Sequence, residues 1–177
     1  MTDYLYTPYE LAIIITFHNM DIERYTKLLQ DIHRNDNLFI QQEYRQDCKK
    51  FILAVMNKLN FLSDPDTYTS EQTYIEKDMD DLGLENNSTS DDEEHYYSHL
   101  IFKELRIRIQ YINKKGFAKM KLRTLLSELG YQRRVANVLD YIDDCMMFYH
   151  IEPTYRGNEP CNIYTADKDD TIVFRVV

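Results

Sequence analysis

The stretch KLRTLLSELGYQRRVANVLDYIDDCMM, residues 121–147, decides the fold. Leu122, Leu125, Leu126 and Leu129 recur at helical spacing, and Gly130 follows as the residue that most readily takes the left-handed conformation ending a helix. From Gln132 to about Met146, Val135, Val138, Leu139 and Ile142 form a second apolar face. Only Gly130 and Tyr131 separate the two helices, so they must cross at a steep angle.

Working outward, Ile101, Leu105, Ile109 and Ile112 line up as on a helix beginning near Tyr97. Leu105, Ile107, Ile109 and Tyr111 also alternate as in a strand; length and the lack of turn formers favour helix. The Lys114-Lys115-Gly116 break ends it. Beyond residue 147 the period changes. Phe148 to Ile151, Cys161 to Thr165 and Thr171 to Val177 are β-branched or aromatic, and Ala166 to Asp170 is a polar connection suited to a hairpin.

Helix, helix, helix and then hairpin is an order that resembles the winged helix-turn-helix superfamily. In that resemblance KLRTLLSELG is the positioning helix and QRRVANVLDYIDDCMM the recognition helix. The wing falls either around Arg156 to Pro160 or at Ala166 to Asp170. The resemblance implies a recognition helix in the DNA major groove, with Gln132, Arg133, Arg134 and Asn137 at the interface. Lys114, Lys115, Lys119, Lys121 and Arg123, with Arg156 from the candidate wing, would neutralise backbone phosphates.

The N-terminal part reads as three amphipathic helices. Thr7-Pro8-Tyr9-Glu10 is a capping-box start with proline at the first helical position, opening a helix that runs to about His18. A second begins near Asp21, with Ile22, Tyr25, Leu28, Leu29 and Ile32 as one stripe before the polar break at Arg34 to Asn37. A third spans roughly Leu38 to Leu62, with Tyr44, Cys48, Phe51, Ile52, Val55, Met56, Leu59 and Leu62 on one face. Residues 63–94 are polar, acidic and rich in turn formers, which reads as a flexible linker with one weak helical turn near Ile75 to Leu82. The expected fold is therefore mainly α: an N-terminal three-helix unit over 1–62, an acidic linker over 63–94, and a C-terminal winged-helix-like α+β domain over 95–177 with a small antiparallel hairpin.

Charge is distributed unevenly. Net charge is −1 over residues 1–62, −11 over 63–94, +8 over 95–135 and −5 over 136–177. The +8 stretch marks a candidate electrostatic footprint in a chain whose total is −9. Against it, Asp140, Asp143 and Asp144 continue the recognition helix, and Asp167, Asp169 and Asp170 make the second candidate wing acidic. A further expectation is that the linker folds back on the basic stretch and masks it until something displaces it, on the strength of −11 beside +8.

Several chemistries find no support. The glycines, Gly83, Gly116, Gly130 and Gly157, are scattered, so no phosphate-cradling loop exists, and there is no nucleophile-elbow motif. His95 and His99 share a helical face but lack a third ligand, and Cys145, His150 and Cys161 match no common zinc spacing. Carboxylates in a floppy linker lack the fixed geometry acid–base catalysis needs. Fifteen tyrosines could stack bases, but Tyr25, Tyr44, Tyr111 and Tyr141 fall on or beside core faces. Cys48, Cys145 and Cys161 are an odd set at wide spacing, which suggests free thiols in a reducing compartment. The apolar run from Leu11 to Ile15 is too short for a membrane span and has no basic flank, so no signal peptide or anchor is expected.

The expected protein is thus a cytoplasmic, non-enzymatic DNA-binding regulatory or accessory protein with no cofactor and no metal. Its partners would be double-stranded DNA and, through the N-terminal helices, a protein or a second copy of the chain. The rival expectation is a protein-binding adaptor or inhibitor, of the kind mobile elements or phages use, acting through its acidic segment or helical surface.

Overall fold

The computed structural model describes residues 5–63 and 90–177, the latter with side chains from residue 98. These residues are mostly helical, with six α-helices and one small three-stranded antiparallel sheet. They belong to two compact units that divide between Asp92 and Glu93.

The first unit contains α1 (Pro8–Phe17), α2 (Ile22–Asn35) and α3 (Cys48–Leu62). Helix α1 starts as its sequence demands. Thr7 Oγ1 accepts from Glu10 N at 3.2 Å, Glu10 Oε2 accepts from Thr7 N at 3.1 Å, and both residues are buried. Asp21 and Asp47 cap α2 and α3 in the same manner, accepting from Arg24 N and Lys50 N. Helices α1 and α2 both lie against α3, whose Phe51 and Val55 are fully buried.

Two sequence expectations change here. The third helix does not begin at Leu38: the approach to it is two 3₁₀ turns, Asn37–Phe39 and Gln42–Tyr44. Arg45 stitches them, donating to the carbonyls of Ile40 and Leu38, and Asn37 donates to Arg45 O at 2.9 Å. These side-chain bonds satisfy carbonyls that a helix would otherwise use, so the chain turns instead. Ile22, placed on the apolar stripe, is 63% exposed at the first position of α2.

Helix α4 (Ser90–Ile107), in the second unit from Glu93 onward, runs into one π-helical turn, Arg108–Ile112, closed by Asn113 N to Arg108 O at 2.7 Å. The helix reading of this segment holds over the strand alternative. Helix α4 begins within the stretch read as linker; the rest of that stretch from residue 64 to 89, including the expected turn near Ile75, lies outside the described residues. After α4 come β1 (Ala118–Lys121), α5 (Leu122–Glu128), α6 (Ala136–Phe148), β2 (Ile151–Thr154) and β3 (Thr171–Val176).

The sheet has the order β1-β3-β2, with Ala118 opposite Phe174, Lys121 opposite Thr171, and Ile151 opposite Val176. Expectation gave a hairpin, and the structure adds a third strand, β1. Cys161 to Thr165, read as a strand, is a turn: Asn162 Oδ1 accepts from Tyr164 N, and Asn162 O accepts from Ala166 N. An asparagine that bonds its own backbone in this way overrides the β propensity of its neighbours. The second helix of the deciding stretch starts at Ala136, not Gln132, which leaves 131–135 as the link between α5 and α6.

Tyr149 ties α6 to α4. Its ring stacks on Phe102 with centroids 6.1 Å apart, its hydroxyl lies 2.7 Å from His99 Nδ1, and its carbonyl accepts from the buried Arg106 at 3.1 Å.

Gly130 ends α5 with φ +82° and Tyr131 N bonded to Leu126 O at 2.8 Å, the left-handed termination expected from the sequence. A side chain there meets open space but not without the left-handed penalty of roughly 1–2 kcal/mol. Gly130→Ala should therefore lower the unfolding free energy by about 1 kcal/mol in urea titration, and Gly130→Asn by less.

Candidate nucleic-acid interface

The ten basic residues of the +8 stretch meet different fates. Lys103 and Arg106 are buried, where Arg106 caps the carbonyl end of α6. Arg108 pairs with Glu104 at 3.5 Å, one turn back along the helix. Glu128, at the end of α5, feels both: its carboxyl is raised by burial and by Glu104, while Arg108 pulls it down.

Lys121 and Arg123 stand where β1 passes into α5, and both reach Asp169, at 3.4 and 2.8 Å. Asp169 is held there by local backbone bonds: Arg123 N donates to Lys168 O at 2.9 Å, and Asp169 N donates to Asp167 Oδ1. The acidic loop 167–170 thus covers two of the cations that the sequence assigned to phosphate contact, Lys121 and Arg123. Such exposed pairs contribute little to stability, roughly 0–1 kcal/mol, but they cancel local potential.

Arg134 is also committed, donating to the Ala166 carbonyl from a half-buried position. Gln132 and Arg133 are exposed in the link before α6, and Asn137 is exposed in its first turn. Arg156 is exposed in the turn after β2, where Tyr155 N bonds Glu159 O at 2.7 Å. Along α6, Asp140 and Asp144 are exposed, and Asp140 accepts from Tyr164 Oη at 2.9 Å. That carboxylate holds the Tyr164 phenol up at about 12.

Lys114, Lys115 and Lys119 are exposed and enter no ion pair among the described residues. They lie at the start of β1, on the rim of an open groove of about 540 Å3 lined also by Arg108, Asn113 and Phe117. Ala118 to Lys121 spans about 10 Å at strand rise. The predicted lysines, with Arg123, therefore fall into two groups, one toward each end of β1, and of these two only the group toward its start is unneutralised among the described residues.

No protein-family model, curated protein or solved structure matches this chain.

Sequence reasoning passed over Arg175. Its place near the end of the last strand gave no signal, yet its guanidinium lies 5.7 Å from the Phe117 ring centroid and donates to Thr154 Oγ1 at 2.6 Å. Among the described residues no helix is long and apolar enough to cross a membrane, and no three His, Cys, Asp or Glu side chains converge as metal ligands.

The thiols differ from this surface in chemistry as well as burial. Burial pushes Cys145 up to about 11, a rise only partly offset by its hydrogen bond with Tyr141. A folded-state pKa raised in this way adds stability that is fully present below the unfolded thiol value of about 8.5 and is lost as pH climbs through 11. Unfolding free energy should accordingly fall between about pH 8.5 and 11 in denaturant titrations, with a shallower fall in Cys145→Ala.

Proposed function

We propose that this chain is a non-enzymatic protein that binds double-stranded DNA through a winged helix-turn-helix formed by its second unit. The observation that carries the proposal is topological. Three helices and then a two-stranded hairpin, with a glycine-closed turn between α5 and α6, is the order that the resemblance implies, and β1 is added to it between α4 and α5.

On this proposal the base-reading contact is made by the link before α6 and the first turn of α6. Gln132, Arg133 and Asn137 are exposed there, and their groups suit guanine, adenine and phosphate. Further along, Asp140 and Asp144 would face phosphates with like charge, so the helix enters the groove end-on. Loop 155–170 is the wing, and its acidic part serves to hold Lys121 and Arg123 instead of touching DNA.

A selected duplex measured by fluorescence anisotropy tests this. Arg133→Ala should weaken binding about tenfold, the cost of one good contact. Gln132→Ala or Asn137→Ala should relax discrimination between sites. Equal affinity of wild type and Arg133→Ala would overturn the proposal.

A second function, docking on a basic protein, is favoured by the carboxylates of α6 together with exposed Met147 and Phe148. Asp140→Asn/Asp144→Asn separates the two. If α6 approaches DNA, removing these charges should raise duplex affinity several-fold at low salt; if α6 docks on a cationic protein, duplex affinity should not change.

A further inference from the structure

We propose that the groove between the π-helical turn after α4 and the start of β1 is a second nucleic-acid contact, which binds backbone phosphates by charge alone. It rests on the DNA-binding proposal and extends it to residues at the opposite end of β1 from loop 167–170.

Four observations support it. Lys114, Lys115 and Lys119 are the lysines of the basic stretch that neither burial nor a carboxylate occupies among the described residues. The turn that carries them is fixed, since Gly116 has φ +67° and Asn113 Nδ2 donates to Phe117 O at 2.9 Å. Lys119 Nζ and the Arg175 guanidinium both lie over the Phe117 ring, at 5.1 and 5.7 Å, which holds two cations along the groove wall. None of the residues lining the groove is a carboxylate. Glu104 stands behind Arg108, and Glu152 is the cross-strand neighbour of Arg175, so the lysines supply the net charge.

Ammonium groups act as point charges without a fixed fork of donors, which suits phosphates and carries no base preference. The groove would therefore add affinity uniformly across sequences and leave discrimination to α6. The competing explanation is that β1, an edge strand, carries lysines to block pairing with another chain.

The test uses the full chain, with Lys114→Gln/Lys115→Gln/Lys119→Gln compared with wild type on a mixed-sequence duplex over a salt series. All three side chains are exposed, so the variant should fold, which an unchanged thermal transition verifies. The slope of log K against log salt should become shallower by roughly 2 to 3, near 0.9 for each phosphate that is no longer neutralised. Affinity should fall by the same factor on every sequence tried.

An unchanged slope overturns the groove whatever Arg133→Ala does. A reduced slope with no effect of Arg133→Ala keeps the groove and removes the α6 contact. Self-association of the variant with unchanged DNA binding would assign the lysines to edge protection. No duplex binding by wild type at low salt, or lysine-dependent binding only to phosphatidylserine vesicles, would also overturn the proposal.

Discussion

Strand β3 bonds along both of its edges, and the second unit depends on that double pairing. Its partners are Ala118–Lys121 and Ile151–Thr154, which lie on either side of α5 and α6 in the chain. The sheet can therefore close only after both helices have folded back. Ile172, Val173 and Phe174 are buried at its centre, each contributing roughly 2 kcal/mol of apolar burial against the entropy of closing those loops. Without β3 in place, AKMK would have no partner and no reason to be a strand. Tyr149 reinforces the same closure from the helical side, where one residue joins Phe102, His99 and Arg106.

This closure also redistributes charge. By pairing Lys121 with Thr171, the sheet brings loop 167–170 onto the start of α5 and lets one carboxylate, Asp169, serve two cations. Burial takes Lys103 and Arg106 out of the surface, and Glu104 occupies Arg108. What begins as ten positive residues in one run ends as a small uncompensated group at one end of β1 and a single exposed arginine, Arg133, before α6. Local net charge along a chain is thus a poor guide to surface potential when the partners arrive from distant sequence, as Asp169 and Ala166 do.

Asp140, Asp143 and Asp144 make the middle of α6 anionic, on the helix to which the sequence expectation gave DNA contact. Asp140 is already engaged by Tyr164 from the loop between β2 and β3, which orients that loop against the helix. The same bond places an aromatic, 41% exposed, beside an anionic helix face.

The sequence by itself determined whatever is local. The capping box at Thr7 and Glu10, the start of α2 near Asp21, the Gly130 termination and the helix phases of α2, α5 and α6 were legible because each depends on residues within one or two turns. Tertiary structure alone decided β1, the turn at Asn162, the 3₁₀ approach to α3 and the role of Arg175. A four-residue strand has too little alternation to announce itself, and its partner lies far along the chain, Phe174 opposite Ala118. The interface divided in the same way: the basic residues could be counted, but which of them stay uncompensated depends on the carboxylates and carbonyls that folding carries to them.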